Sequence, residues 1–147
     1  IKMIGTQNPY WQAVVDGFYF GNNKSKKYTT DQVLGIMDSG WSTIAGPKAE
    51  VDFIKKTITD KMTTTTDNQG NIYFSCSKYL SSLPSLFIRW GDYWLEVQGK
   101  DYAINTSGDT CLLFISENES FWALGMTVMR GYYVTYDVTN DRVGIVP

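Results

Sequence analysis

The sequence predicts a mostly-β domain with one main helix and a few short helical turns. Three observations carry that expectation. Aromatic residues make up 15% of the chain and Thr is abundant, a composition suited to pleated, half-buried strands. Short apolar runs recur at regular spacing between turn formers. A sustained 3.6-residue apolar period occurs in one place, so helix is scarce. At 147 residues the chain fits one ordinary domain with room for a sizeable core. Its 43% apolar content argues against disorder.

The elements follow in order. Residues 10–20, YWQAVVDGFYF, read as strand and turn, with Asp16-Gly17 as the hairpin tip. Gly21 to Thr30 is polar and reads as a loop. Gln32 to Met37 is an apolar run short enough for a buried strand that ends at Asp38. Gly46-Pro47 then opens the main helix, since proline is preorganised for a first helical turn. Val51, Ile54 and Ile58 form its apolar stripe, and Lys55 and Lys56 lie toward its C-terminal end, where cations favour the helix dipole. Thr63 to Asn71 reads as a loop. Strands are expected at Ile72–Ser75, Leu86–Trp90 and Tyr93–Val97, the last two joined by Gly91-Asp92, and again at Leu112–Ile115 and Trp122–Leu124. Met126–Arg130 reads as a short helical turn. Tyr132–Tyr136 and Arg142–Val146 close the chain as a hairpin across Asn140-Asp141. No internal repeat or interdomain linker breaks the pattern.

Composition excludes several functions. The net charge is −2, and no basic patch of the kind nucleic acid requires is visible. The cluster Asn22-Asn23-Lys24-Ser25-Lys26-Lys27 reads as an exposed hairpin loop. The chain has no His, which removes Ser–His and Cys–His catalysis and the usual zinc sites. Two cysteines, Cys76 and Cys111, are too few for a four-ligand metal cage. They form either one disulfide, which would indicate an oxidising compartment, or two free thiols. Sequons at Asn23, Asn105 and Asn118 agree with a secretory route. No apolar run is long enough to span a bilayer. The chain starts at Ile1 without a signal-like segment and reads as processed or truncated.

The stretch GIMDSGWSTIAGP, residues 35–47, carries the chemistry. Asp38 stands at a strand end, where a carboxyl group can be held rigidly and its acidity tuned. Gly40 permits a tight turn that aims backbone amides at that carboxyl. Ser39 adds a hydroxyl without crowding. Alone, an Asp-Ser-Gly turn is common outside active sites. Here it stands among AVVDGFYFG, CSKYLSSLPSLFIRWGDYWLEV and FWALGMTVMRGYYVTYDVTNDRVGIV, in that order.

These blocks together resemble the C-terminal half of the pepsin-like aspartic proteases, from about Tyr10 to Val146. The resemblance implies one lobe of a bilobal, mostly-β fold, with the whole of residues 1–147 as the C-terminal lobe and the N-terminal lobe absent from this chain. It implies an aspartic endopeptidase without cofactor, metal or covalent intermediate, made and glycosylated in the secretory pathway as a zymogen and either secreted or lysosomal/vacuolar. One D-T/S-G turn comes from each lobe. The two carboxylates share a proton because neighbouring charges cannot both ionise. By this resemblance Asp38 is the catalytic Asp of this lobe and Ser39 takes an interlobe hydrogen-bonding place. Leu124 and Gly125, with Ala123, match the segment that supports the catalytic loop from below. Tyr10, Ile36 and Ala123 match the lining of the pocket for the residue after the scissile bond. Ser42 points near the substrate. Cys76 and Cys111 match the disulfide of this lobe. The partners implied are the N-terminal lobe, from the same precursor or a separate chain, and a peptide or protein substrate.

Three departures accompany the match. The chain holds one D-T/S-G turn, so the second Asp must come from elsewhere. Trp41 replaces the Thr or Ser whose hydroxyl bonds the outer oxygen of the catalytic carboxylate. Its indole N–H could donate from another distance and angle, and its ring would intrude on the substrate groove. The result is either an altered active site or a catalytically inactive homologue that binds peptides or serves as a structural subunit. Met126 replaces a common acidic residue, which would shift a pH optimum upward by removing a nearby negative charge.

Overall fold

A computed structural model describes residues 1–3, 9–21 and 31–147, together with the backbone of 23–28. The chain is mostly β, as the composition implied. Its largest sheet is built from β1 (Gln12–Phe20), β2 (Asn23–Tyr28), β3 (Val33–Met37), β4 (Ile44–Gly46), β7 (Leu86–Trp90), β8 (Tyr93–Val97), β11 (Ile115–Glu117) and β12 (Trp122–Leu124). The spatial order is β11-β4-β12-β3-β1-β7-β8, with β2 paired to β1. A second sheet has the order β5-β6-β10-β9, from β5 (Thr65–Thr66), β6 (Ile72–Ser75), β9 (Ala103–Ser107) and β10 (Thr110–Leu113). β13 (Tyr133–Asp137) and β14 (Arg142–Val146) form a hairpin, to which Lys2 bridges at Arg142. The main helix is α1 (Lys48–Thr59); α2 (Cys76–Tyr79), α3 (Gly99–Tyr102) and α4 (Met126–Met129) are single turns.

Alternation along the strands explains the core. In β7 the residues Leu86, Ile88 and Trp90 are fully buried while Phe87 and Arg89 point the other way, the period of two that a pleated strand imposes. β12 is buried throughout, on both faces, and pairs with β3 on one side and β4 on the other. On α1 the predicted stripe of Val51, Ile54 and Ile58 is buried, and Pro47 precedes its first residue. The Trp90 indole donates to the Gly35 carbonyl at 2.8 Å, which satisfies the polar atom of a large core side chain.

Cys76 and Cys111 form a disulfide with Cα atoms 5.1 Å apart. It ties the start of α2 to β10, and closing a loop of this length contributes on the order of 3–4 kcal/mol in the chain-entropy picture. Beside it, the Asp109 carboxylate accepts bonds from the Ser75 and Ser77 hydroxyls and, at 2.7 Å, from the Ser77 N–H. The Ser75 hydroxyl first, then the Ser77 amide, holds the Asp109 carboxyl below its ordinary pKa.

Several expectations are corrected. Asp16-Gly17 is not a hairpin tip: both residues lie inside β1, at a bulge opposite β7, and Asp16 meets Arg89 at 3.0 Å. The chain turns instead at Gly21, whose φ of +54° suits glycine. The polar segment after it is not all loop: residues 23–28 form β2, paired antiparallel with β1. Asn22 and the side chains of the basic cluster, including the Asn23 sequon, lie outside the described residues. The Thr63–Asn71 loop contains the two-residue strand β5. The expected single strand Leu112–Ile115 is two strands in different sheets, because the chain changes sheets at Phe114. There the Phe114 N–H donates to the Tyr102 carbonyl at 2.7 Å, and the Phe114 carbonyl accepts from Ile44 at 3.3 Å.

The order of the large sheet positions the loop between β3 and β4. These strands follow one another in the chain, yet β12 runs between them, parallel to β3 and antiparallel to β4. Residues 38–43 must therefore cross over the end of β12. Gly125 lies under that crossing, and a Cβ there would stand 2.2 Å from the Trp41 carbonyl oxygen and 2.5 Å from that of Thr43. Gly125→Ala should lower the unfolding free energy by at least about 2 kcal/mol, read as a shift in the urea midpoint, because both clashing atoms are backbone. A second expectation concerns acid. A depressed carboxyl pKa adds stability that is present above the ordinary carboxylate range and disappears as pH falls through the native value. The melting-temperature gap between wild type and Asp109→Ala should thus be widest near neutrality and close as the pH drops below the ordinary carboxylate range.

Candidate active site

Alternation in β3 sends Leu34, Ile36 and Asp38 to one face and buries Gly35 and Met37 on the other. Asp38 thus stands at the end of an apolar row. Its N–H donates to the Leu124 carbonyl at 3.2 Å, which pins the strand end to β12. The Gly40 N–H donates to Asp38 Oδ1 at 2.8 Å, and the Trp41 N–H closes the turn on the Asp38 carbonyl at 3.2 Å. A second amide–carbonyl bond, from Met126 to Trp41 at 2.7 Å, ties the far side of the loop to α4. Thr127, fully buried, donates from Oγ1 to the Ser42 carbonyl at 2.8 Å. The carboxyl accepts a backbone N–H, and a carboxyl so held can give or take a proton from a bound group.

Beside Asp38 opens a cleft of about 720 Å³, lined by Tyr10, Gln12, Gln32, Val33, Leu34, Ile36, Asp38, Ser120 and Phe121. Leu34 is 38% exposed and Tyr10 58% exposed, so apolar surface faces solvent next to an acid. Such a mostly apolar cleft with a few converging polar groups is the usual form of a small binding site. From below, the Trp11 and Tyr136 rings meet with centroids 5.1 Å apart, and the Trp11 carbonyl accepts from Met37 at 2.9 Å. Burial first, and then the charge of Asp38, raises the Tyr136 phenol above its ordinary pKa.

Among the sequence-predicted residues, the structure brings Asp38, Tyr10 and Ile36 to this cleft, with Gly40 on the carboxylate. Ser39 and Ser42 are exposed at the loop surface, and Leu124 and Gly125 are buried beneath it. Ala123 has no exposed surface and is not among the residues that line this cleft. The Trp41 indole N–H donates to Thr43 Oγ1 at 3.1 Å, its ring meets Phe121 in a T-shaped contact, and Trp41 is not among the residues that line the cleft. Of the sequons, Asn105 has its side-chain amide engaged with the Gly108 carbonyl at 2.9 Å and with Cys76 Sγ at 3.3 Å. Asn118 Oδ1 accepts from the Ser120 N–H at 3.0 Å. Met126 is 39% exposed.

Sequence reasoning missed Leu34, Gln12, Gln32, Val33, Ser120 and Phe121. The alternation rule applied to residues 34, 36 and 38 would have found Leu34. The others come from elements distant in sequence, which no local pattern joins. Among the described residues no cluster of His, Cys, Asp or Glu could hold a metal ion, and no helix is long and apolar enough to cross a membrane.

Comparison with known proteins gives the family. The family described as "Eukaryotic aspartyl protease" matches residues 2–147. The chain is 28% identical over 148 aligned positions to gastricsin of Mus musculus, covering 97% of this chain and 36% of that protein. It is 27% identical to pepsin B of Canis lupus familiaris, with 95% and 36% covered, and 27% identical to pregnancy-associated glycoprotein 6 of Ovis aries, with 92% and 35% covered. It therefore spans little more than a third of the length of these relatives. The chain, matched by the family over nearly its whole length, belongs to the eukaryotic aspartyl protease family.

Proposed function

We propose that this chain is the C-terminal lobe of a pepsin-like endopeptidase and supplies one of its two catalytic carboxylates, Asp38. The observation that carries this reading is the placement of Asp38: an amide-held carboxyl on a loop crossing, at the end of an apolar row and beside a cleft open to solvent. The second carboxylate would come from an N-terminal lobe, of the same precursor or of a separate chain. That the chain spans about 36% of its relatives' length supports a partner lobe of comparable size.

The chemistry follows from two acids that share one proton. The ionised member removes a proton from a water held between them, and that water's oxygen attacks the peptide carbonyl carbon. The protonated member donates to the carbonyl oxygen as its charge develops. When the tetrahedral adduct collapses, the C–N bond breaks and the amine leaves with a proton. Ser39, exposed on the loop, would bond across the lobe interface. Tyr10 and Ile36 would contact the substrate side chain after the cleaved bond, with apolar and aromatic residues preferred. The Cys76–Cys111 disulfide fits synthesis in an oxidising compartment, hence secretion or delivery to a lysosome or vacuole.

A second reading, a catalytically silent homologue that binds peptides or serves as a structural subunit, draws on Trp41. The hydroxyl that the family resemblance assigns to the outer carboxylate oxygen is replaced, and the indole that stands there bonds Thr43 instead.

The two readings separate in the intact protein. Turnover of haemoglobin between about pH 3 and 5, the range that a shared-proton pair favours, should be blocked by pepstatin. Asp38→Asn should reduce kcat by about 10²- to 10⁴-fold or more. Turnover untouched by Asp38→Asn would remove Asp38 from the mechanism. Peptide binding without any turnover, together with the absence of a second D-T/S-G turn in the complete reading frame, would favour the silent homologue.

A further inference from the structure

A chain of side-chain bonds runs from the catalytic loop to the cleft wall. The Trp41 indole N–H donates to Thr43 Oγ1 at 3.1 Å, and that hydroxyl shares a bond with Ser116 Oγ at 2.7 Å. Thr43 leads into β4 and Ser116 lies in β11, its parallel neighbour. The edge of the Trp41 ring meets Phe121, with centroids 6.2 Å apart and planes at 74°. Phe121 lines the cleft while Trp41, Thr43 and Ser116 do not. The segment that carries Phe121 is fixed on its other side by backbone, through the Asn118 N–H on the Gly46 carbonyl at 2.7 Å.

We propose that Thr43 and Ser116 are positioning residues that act through Trp41 to set the Phe121 wall of the cleft, and so decide how well the cleft holds a bulky apolar side chain of a bound peptide. The inference rests on the reading that peptides occupy this cleft, and adds to it the determinant of side-chain size. The physical reasoning is steric and directional. An indole with one N–H has one good acceptor to choose, and here it is the Thr43 hydroxyl rather than the Asp38 carboxyl. With the indole fixed, its contact limits the rotation of Phe121, which lines the same cleft as Leu34 and Ile36. A loosened Phe121 would still leave an apolar cleft, but one without a set width. Small side chains, which never reach that wall, would be indifferent to the change. The same chain explains how a bulky residue is accommodated beside the Asp-Ser-Gly turn without filling the cleft.

The test uses the full polypeptide and two hexapeptides that differ only in bearing Phe or Ala on either side of the central bond. Thr43→Val keeps the shape of the side chain and removes its hydroxyl. It should raise KM for the Phe peptide by about threefold to tenfold, the worth of one hydrogen bond, and leave KM for the Ala peptide little changed. Thr43→Ser should restore the difference, and Ser116→Ala should reproduce part of the loss. The Trp41 indole N–H resonance, assigned through Trp41→Phe, should lose its exchange protection in Thr43→Val and regain it in Thr43→Ser. Equal effects on both peptides, or no restoration by Thr43→Ser, would overturn the proposal. If the protein cleaves neither peptide, the catalytic reading fails separately, and the comparison is made on peptide dissociation constants. A Phe preference that falls in Thr43→Val still supports the positioning role. An unaltered preference, or no binding of either peptide, overturns it.

Discussion

The loop that joins β3 to β4 has to close over the end of a strand that separates them. This constraint organises the rest of the lobe. β12 occupies the space between two strands adjacent in sequence, so the connecting residues cannot make an ordinary hairpin. They form a bridge, pinned at one end by the Asp38 amide on the Leu124 carbonyl and at the other by the Met126 amide on the Trp41 carbonyl. The bridge needs room beneath it, and Gly125 supplies that room by having no side chain. A carboxyl at the start of such a bridge is fixed by covalent geometry and sheet hydrogen bonds. It does not depend on the rotamers of long side chains.

Much of this lobe was legible where local rules operate alone. Leu86–Trp90 alternates cleanly and pairs with Tyr93–Val97 across a Gly-Asp turn, and the two strands of the C-terminal hairpin pair in register about Asn140-Asp141. Lys48–Thr59 carries the one sustained apolar stripe and a proline at its entrance. Legibility failed where a distant partner overrides local preference. Asp16-Gly17 has the composition of a turn, yet β7 and Arg89 hold it in a long bulged strand. The Lys-rich segment 23–28 has weak strand preference but pairs with β1 after the Gly21 turn, and lysine is common on strands that pair on one side. Single-turn helices such as Gly99–Tyr102 are too short to display a period of 3.6. At the site, Asp38 was legible from its turn and Ile36 from the family resemblance. Phe121 was not, because it reaches the cleft from a segment more than eighty residues away.

Trp41 shows how a sequence departure can be absorbed by its surroundings. From sequence, a bulky ring next to the acid suggested either contact with the carboxyl or obstruction of the groove. The structure shows neither: the indole N–H is taken by Thr43, whose hydroxyl is shared with Ser116, and the ring rests against Phe121. The Asp38 carboxyl keeps its amide donor from Gly40. Elsewhere on the lobe, Asp67, Asp109 and Asp137 are each held below the ordinary carboxyl pKa by hydrogen bonds, led by the Asn71, Ser75 and Asn140 side chains respectively. Each sits at a turn. Turns organised in this way retain their charge-assisted bonds further into acid than unpaired carboxylates would.

The central claim is that Asp38 is half of a pair. An experimental structure of the intact protein, at a resolution that shows ordered water, tests it most directly. A second carboxyl, from the other lobe, is expected within hydrogen-bond reach of the Asp38 side chain or of one water bound to it. A facing lobe that presents no carboxyl there would contradict the claim and leave the chain a relative of the proteases without their chemistry.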